Sequence, residues 1–318
     1  MSEVEVKEQR RKFIGGSDIA AVVGLSPWKT RTQLWADKIT PAVDGGRKPK
    51  KQLSRGHRWE SVVAEMLVEK LKEDGHDVEV LTYNLRHIDE EFPHFACEID
   101  FLINLNGRAT NVELKTVHPF AKNQWGATED DVPVHYQAQL QWGLGITGVK
   151  QGIIAPLFGA DEIQAYLYDF EEDTCLELRK AADTFWREHV LTGIPPEPEE
   201  LVDLKLLFPS ESEGRIIQAS EEIREALLRM RFVEREIDAR NAEWDHIEFL
   251  VKRFMGANEK LLVGSESKEA AVWKSRATSY LDQSKLKEDH PALVKQYTTK
   301  GTSRVFTLKG FSLDGVKL

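Results

Sequence analysis

The chain has 318 residues, 41% of them hydrophobic, a formal net charge of −10 and only two cysteines. This length suits one large domain or two ordinary ones, and no apolar run approaches the roughly 18 residues of a membrane span. Two cysteines, Cys97 and Cys175, exclude a disulfide framework and a four-cysteine metal cluster. The charged N-terminus lacks the apolar stretch of a secretory signal, so we expect a cytoplasmic protein.

Helix and strand patterns alternate along the first 200 residues. In chain order they predict a short helix at 18–23, an amphipathic helix at 57–71, a strand at 78–85, a hairpin at 96–117, a helix from Pro133 to Trp142, strands at 149–157 and 164–170, and a helix at 174–190. This order predicts an α/β fold with a mixed central sheet flanked by helices.

The segment 193–200, GIPPEPEE, is the clearest boundary, because three prolines among acidic residues interrupt both helix and sheet. We therefore predict a domain at 1–200 and a C-terminal extension at 201–318. The extension reads as one long helix at 220–255 followed by a small α+β tail, with a helix near Pro291 and a strand at 304–308.

The hairpin is the most informative segment. Asn106-Gly107 is a strong signal for a two-residue type I′ turn, in which both residues need a positive φ. With this turn, Asp100 lies opposite Glu113. Two facing carboxylates repel each other, and a divalent cation between them would turn that repulsion into a binding site.

The same register places Glu98 opposite Lys115, two residues after Glu113. Asp100 followed by Glu113-x-Lys115 is the D…E-x-K arrangement of a metal-dependent nuclease. Phosphodiester hydrolysis needs hard cations held by carboxylates, and a lysine can orient the water or neutralise charge on the phosphate. The alternative is an exposed strand face carrying a salt bridge of little energetic value.

Three further groups of residues have both a functional and a structural interpretation. Glu60 is a third carboxylate for the metal, or simply an acid near a helix N-terminus. The glutamines of PVHYQAQLQW bind water or DNA phosphate, or form a polar helix side. Ser17 lies near a phosphate site with upstream basic residues, or acts only as an N-cap.

Residues 143–148 match G-x-G-x-x-G, but they follow a predicted helix and precede a strand. A dinucleotide fingerprint has the opposite order, so we predict a helix C-cap and turn here. The chain has no P-loop and no H-E-x-x-H motif, which argues against an ATP-driven motor and a zinc site.

Four segments in this order, IGGSDIAAVVGLSPW, RGHRWE, EID with ELK, and PVHYQAQLQ, resemble phage-type recombination nucleases. The resemblance is to the lambda exonuclease or YqaJ-like group of the PD-(D/E)XK superfamily and covers roughly residues 10–200. It implies a restriction-endonuclease-like core. Ile99 stands where a proline commonly precedes the aspartate, a change that alters strand geometry slightly.

The resemblance also assigns roles to residues. It implies a metal site at Glu60, Asp100, Glu113 and Leu114, and catalytic roles for Lys115, Gln139 and Gln141. It places the 5′-phosphate and DNA near Ser17, Arg10, Arg11, Lys12 and Lys122, leaving open which basic residue makes the contact. The implied cofactor is Mg²⁺, with Mn²⁺ as an alternative.

The activity implied is a 5′–3′ exonuclease that digests linear duplex DNA and leaves 3′ overhangs. The resemblance also implies a ring-shaped homotrimer, a single-strand annealing partner and a phage or prophage protein in the bacterial cytoplasm. The net charge of −10 argues against DNA binding unless a local basic track exists, which a ring could provide. The alternatives are an endonuclease of the same superfamily and a non-catalytic DNA-binding scaffold.

Overall fold

The computed structural model describes residues 3–41, 51–264, 267–299, 301–310, 312–313 and 316–317. The chain forms two compact units, Met1–Phe208 and Pro209–Leu318. The first unit thus takes in residues 201–208 as well as the predicted domain. The reason is a buried carboxylate, Asp203, which accepts a hydrogen bond of 2.6 Å from the Thr30 hydroxyl.

The first unit contains seven α-helices among its described residues. They are α1 (Glu3–Arg10), α2 (Gly16–Val22), α3 (Arg31–Ile39), α4 (Lys51–Glu73), α5 (Val134–Thr147), α6 (Glu172–Phe185) and α7 (Leu201–Leu207). Its strands are β1 (Val78–Ile88), β2 (Ala96–Leu105), β3 (Arg108–Val117), β4 (Gln151–Phe158), β5 (Glu162–Ile163) and β6 (Tyr166–Asp169). Short 3₁₀ turns occupy Pro119–Gln124 and Glu129–Asp131, and a π turn at Trp186–Val190 continues α6.

The six strands form one sheet in the order β1-β2-β3-β4-β5, with β6 also pairing with β4. The pairing of β3 with β4 is parallel and the others are antiparallel, so the predicted mixed sheet is confirmed. Helices cover both faces at β4. Ile153 packs in a cluster with Leu67 of α4, whereas Ile154 packs with Leu140 of α5.

The β2–β3 hairpin has the predicted register near its turn. Asn106 and Gly107 have φ values of 52° and 86°, and pairing runs from Leu105–Arg108 to Phe101–Val112. Beyond that pair the two strands diverge: β2 continues beside β1, and β3 continues beside β4 to Val117. The two strands therefore separate like a fork. Asp100 and Glu113, which the sequence predicted to face each other, are the first residues beyond the last paired position.

The prediction that Ser17 caps the helix of the IGGSD segment is wrong. The N-cap of α2 is Gly15, whose N–H donates to Asp18 Oδ2 at 3.2 Å. The Asp18 carboxylate also receives the buried ammonium of Lys38 at 2.7 Å. Ser17 therefore lies in the first turn with its side chain exposed. The helix ends before Gly24, which has a φ of 73°, as the sequence predicted.

The second unit begins its regular structure with a single long helix. Its described elements are α8 (Glu221–Met255), β7 (Lys260–Val263), β8 (Lys268–Val272), α9 (Gln283–Asp289), α10 (Pro291–Tyr297), β9 (Ser312–Leu313) and β10 (Val316–Lys317). The hydroxyl of Ser220 caps α8 by accepting from the Ile223 N–H. The predicted strand at 304–308 is wrong, because residues 301–310 have no regular secondary structure. Across the described helices of both units, none is long and apolar enough to cross a membrane.

Candidate active site at the sheet fork

The fork between β2 and β3 holds the first predicted catalytic pair. Asp100 Oδ2 accepts a hydrogen bond of 2.7 Å from the backbone N–H of Leu114, so a side chain replaces the backbone partner that β2 no longer supplies. Glu113 precedes that amide and is only 5% exposed. The hairpin register thus brings both acids to one place even though the regular ladder ends one residue earlier.

Lys115, Glu113 and Gln139 form a closed triangle of hydrogen bonds. The Lys115 ammonium lies 2.5 Å from Glu113 Oε1 and 3.2 Å from Gln139 Oε1, and the Gln139 amide donates to Glu113. The expected cross-strand pair of Glu98 with Lys115 does not form, because the strands have already diverged. Glu98 instead lies 3.3 Å from Arg10 in an exposed ion pair.

Burial and charge shift the proton affinities of this cluster. Burial, followed by the nearby Glu113 carboxylate, raises the pKa of Asp100 to about 7, and Glu60 adds to the shift. Burial alone would lower the pKa of Lys115, but the carboxylates of Glu113 and Asp100 outweigh it, so this pKa is raised. Lys115 therefore remains an ammonium group, suited to stabilising negative charge rather than removing a proton.

The oxygen donors at the fork fit a hard divalent cation. The carboxylates of Asp100 and Glu113 repel each other, and Leu114, whose side chain has no ligand atom, can contribute its backbone carbonyl. Glu60 of α4 is near enough to affect the ionisation of Asp100. No group of three or more His, Cys, Asp or Glu side chains within the described residues could hold a metal. Two carboxylates and a carbonyl are hard oxygen donors of the kind that Mg²⁺ takes, with water completing its coordination.

A small cleft of about 90 Å³ adjoins this cluster. It is lined by Arg10, Phe13, Gly15, Gly16, Ser17, Asp18, Glu98 and Gln139. Because Gln139 belongs to both the cleft and the lysine triangle, the cleft opens beside the acids. It brings together a cation, a hydroxyl group and the turn that begins α2.

The structure separates Arg10 from the other basic candidates. The guanidinium of Arg11 donates hydrogen bonds to the carbonyls of Lys38 and Ile39, each at 3.0 Å. Arg11 therefore stabilises the C-terminal end of α3. Lys12 is exposed and does not line the cleft. Lys122 forms an exposed ion pair with Glu162 instead.

The two predicted glutamines have different environments. Gln139 lies in the triangle, whereas the amide of Gln141 donates to the carbonyl of Asp169 at 2.9 Å and accepts from the Glu171 N–H at 3.0 Å. Residues two apart on a helix point to different sides, which explains the separation. Gln141 therefore supports the junction of β6 and α6 and is not brought to the acids.

Three aromatic residues extend the site and were not among the predicted site residues. The Tyr136 ring lies 5.1 Å from the Lys115 ammonium, and the His135 ring lies 4.7 Å from that of Trp28. Burial, and then the charge of Lys115, lowers the pKa of His135, so it is neutral near pH 7. The four-residue spacing of His135 and Gln139 on one helix was an available signal. Trp28 reaches this place only through tertiary packing.

Comparisons with known proteins agree with the resemblance predicted from the motifs. Residues 5–150 match the YqaJ-like viral recombinase domain. The chain is 26% identical over 320 residues to the uncharacterized protein YqaJ of Bacillus subtilis (strain 168), covering 98% of this chain and 96% of that protein.

Two solved structures are also similar. One is an alkaline exonuclease from Laribacter hongkongensis, with a TM-score of 0.46 and 16% identity over 60% of this chain and 94% of the other. The second is a phage related exonuclease from Haemophilus somnus 129PT, with a TM-score of 0.40 and 11% identity over 57% of this chain and 96% of the other.

Proposed function

Because residues 5–150 match the YqaJ-like viral recombinase domain, we propose that the protein is a Mg²⁺-dependent nuclease acting on linear duplex DNA. It hydrolyses the 5′-ended strand in the 5′–3′ direction and leaves 3′ overhangs for recombination by strand annealing. The observation that carries the proposal is the fork, where the Asp100–Glu113 pair adjoins the Lys115–Gln139 triangle. This arrangement has the residue types and the order of the D…E-x-K nuclease pattern.

Each residue of the fork has a role in this reaction. Asp100, Glu113 and the Leu114 carbonyl would hold the cation, with Glu60 nearby as a support. The bound ion would polarise the scissile phosphate and lower the pKa of the attacking water. Lys115, kept protonated by its two acidic neighbours, stabilises the charge that builds on the phosphate. Gln139 orients both Glu113 and Lys115 through its two amide ends.

The adjoining cleft accounts for recognition of a DNA end. Arg10 and Ser17 line it, and a terminal phosphate there would be anchored beside the fork through Gln139. Arg10 is half exposed and its present partner, Glu98, is equally exposed, so the ion pair costs little to exchange for a phosphate. This supports Arg10, rather than Arg11 or Lys12, as the phosphate contact.

Assembly and partners complete the proposal. A chain of net charge −10 needs a local concentration of cations to hold DNA. A ring-shaped homotrimer would turn such cations inward around the duplex and leave an acidic exterior. The 3′ overhangs would pass to a single-strand annealing protein in the cytoplasm of a bacterial host carrying the phage or prophage.

The decisive experiment follows degradation of an end-labelled linear duplex with Mg²⁺ or Mn²⁺ and with EDTA. We expect Asp100→Ala and Lys115→Ala to lose at least about 100-fold in rate while remaining folded. Lys70→Ala is the matched control, because this half-buried lysine pairs with Asp74 one turn away on α4. Full activity in either site variant, or activity unaffected by EDTA, contradicts the proposal.

The substrate end distinguishes the exonuclease from its alternative. We expect a 5′-phosphorylated duplex to be degraded faster than a 5′-hydroxyl duplex, and Arg10→Ala to reduce that preference. A covalently closed circle should remain intact. Cutting of the circle would instead identify an endonuclease of the same superfamily.

A further inference from the structure

Helix α8 carries an apolar stripe that repeats every seven residues along its whole length. One set of positions is Ile223, Met230, Ile237, Trp244 and Val251. A second set, three residues later in each repeat, is Ala226, Val233, Arg240, Ile247 and Phe254. Only Arg240 departs from the apolar pattern. A spacing of three and four residues sustained over five heptads is the pattern of a coiled-coil seam.

This seam is exposed in the described chain. Ile237 is 53% exposed, Trp244 69% and Phe254 79%. A surface helix that packs on its own domain buries such a stripe, whereas here the stripe faces solvent over about 50 Å of helix. Large contiguous apolar patches of this kind mark interaction surfaces.

The chain's own C-terminal hairpin lies on a different side of α8. The Lys252 ammonium is 5.6 Å from the Trp273 ring, and Phe249, Lys252, Arg253 and Trp273 line a cavity of about 540 Å³. On a helix, positions 249, 252 and 253 point away from the line through Val251 and Phe254. The contact of Trp273 with α8 thus leaves the seam open.

We propose that α8 pairs with α8 of a second copy of this chain as an antiparallel two-stranded coiled coil. Full overlap of the two helices fixes the register: Ile223 faces Phe254 of the second copy, and Val233 faces Trp244. Each layer then combines a smaller side chain with a larger one, which fills the seam evenly. A seam built from one sequence needs no other protein to complete it.

Charge selects the antiparallel orientation. In a parallel pair in register, Arg240 would meet Arg240 of the second copy inside the seam, where two desolvated like charges are costly. In the antiparallel pair, Arg240 faces Ile237 and lies beside Glu236 of the second copy. The pair Glu236 with Glu243 of the second copy opposes this arrangement, but it lies at the rim, where salt screens the repulsion.

The first test measures the mass of the full chain by light scattering at micromolar concentration, without DNA or metal. We expect Ile237→Asp and Trp244→Asp to halve the mass of the wild type. The matched control is Phe232→Asp, which removes an apolar side chain of 52% exposure from outside the seam and should leave the mass unchanged. Circular dichroism verifies that all variants keep their helix content.

The second test identifies orientation by disulfide formation. Ile223→Cys and Phe254→Cys should form an intermolecular disulfide when mixed, and neither should do so alone. The native Cys97 and Cys175 are buried and give the background. A disulfide in Ile223→Cys alone contradicts the antiparallel pair. If Ile237→Asp has the same mass as the wild type, the self-pairing is contradicted. The same result is expected if the seam binds only another protein, so that outcome also contradicts the proposal. Neither result depends on nuclease activity.

Discussion

Gln139 and Gln141 are two positions apart on α5 but have different hydrogen-bond partners. We therefore expect their substitution to affect different properties, the nuclease rate for Gln139 and the stability for Gln141. Replacing Gln139 by Ala removes the hydrogen bonds that hold Glu113 and Lys115 together, so we expect the nuclease rate to fall by about 10- to 100-fold. The free energy of unfolding should change little, because Glu113 and Lys115 still pair with each other when the Gln139 amide is removed. Kinetics and urea unfolding of the same preparation measure both quantities.

Gln141→Ala should have the opposite profile. It leaves the Asp169 carbonyl and the Glu171 N–H without their buried partner, which lowers the free energy of unfolding by about 1–3 kcal/mol. The rate per folded molecule should stay near the wild-type value. A loss of activity without a loss of stability in this variant would place Gln141 in the reaction after all.

The ionisation of Asp100 makes stability depend on pH in metal-free protein. Its pKa of about 7 lies above the ordinary 3.8, so between these values the folded state binds a proton that the unfolded state does not. Stability conferred by this proton is therefore lost as pH rises from about 4 to about 7, at no more than about 1.4 kcal/mol per pH unit.

Urea unfolding in EDTA at several pH values measures this effect. Asp100→Asn cannot ionise, so its stability should fall less steeply over the same range. Equal slopes in the variant and the wild type would show that another group accounts for the dependence.

Local chemistry made some of these residues predictable. The turn preference of Asn106-Gly107 fixed the register that brings Asp100 and Glu113 together, because both effects act within one hairpin. The N-cap at Ser17 was wrong, since the Lys38 ammonium, distant in sequence, holds Asp18 where it can cap Gly15. Trp28 could not be placed, because no local spacing links it to His135.

Among the secondary-structure elements, those with a strong periodic pattern of apolar residues were predictable from the sequence. The long helix α8 and the hairpin have sustained periodicity and clear caps, and both were located within a few residues. The strand predicted at 304–308 has suitable alternating residues but no partner strand, and a strand needs one to satisfy its backbone. The parallel pairing of β3 with β4 depends on the helix between them, which no local pattern specifies.

The contact between α5 and α6 gives a prediction at the level of elements. A Cβ on Gly145 of α5 would overlap the Sγ of Cys175 on α6. Gly145→Ala should therefore destabilise the protein even though alanine is the better helix former. In a Cys175→Ala background the same change should be neutral or stabilising, with a coupling of about 1–3 kcal/mol.

Thermal or urea unfolding of the four proteins in this cycle measures the coupling. Nuclease rates should be equal in all four, since neither side chain reaches the fork. Additive effects of the two changes would mean that the helices separate enough to accept the extra carbon.

For the whole molecule, the α/β class and the sheet with helices on both sides followed from the order of the patterns. The end of the first unit at Phe208 did not follow from these patterns. The proline-rich segment is followed by α7, whose Asp203 is wholly buried. Asp203 accepts hydrogen bonds from Thr30 and from the N–H groups of Glu199 and Glu200. A boundary drawn from composition cannot detect such a contact across more than 170 residues.

This contact predicts how the chain tolerates truncation. A chain ending at residue 200 lacks Asp203 and leaves the Thr30 hydroxyl without its partner, so it should be less stable by about 1–3 kcal/mol than a chain ending at residue 208. The longer form contains every candidate site residue and should retain nuclease activity. Unfolding midpoints of the two forms give the comparison; equal midpoints would remove any structural role for α7.

The amide of Leu114 offers a way to observe the fork directly. Because this N–H donates to a carboxylate side chain instead of to a neighbouring strand, its chemical shift and hydrogen-exchange rate depend on whether Asp100 carries a proton. A single backbone signal in an NMR spectrum would thus report both the titration of the acid and the arrival of a cation. The signal would be readable before any DNA is added, which separates the loading of the site from the cleavage that follows.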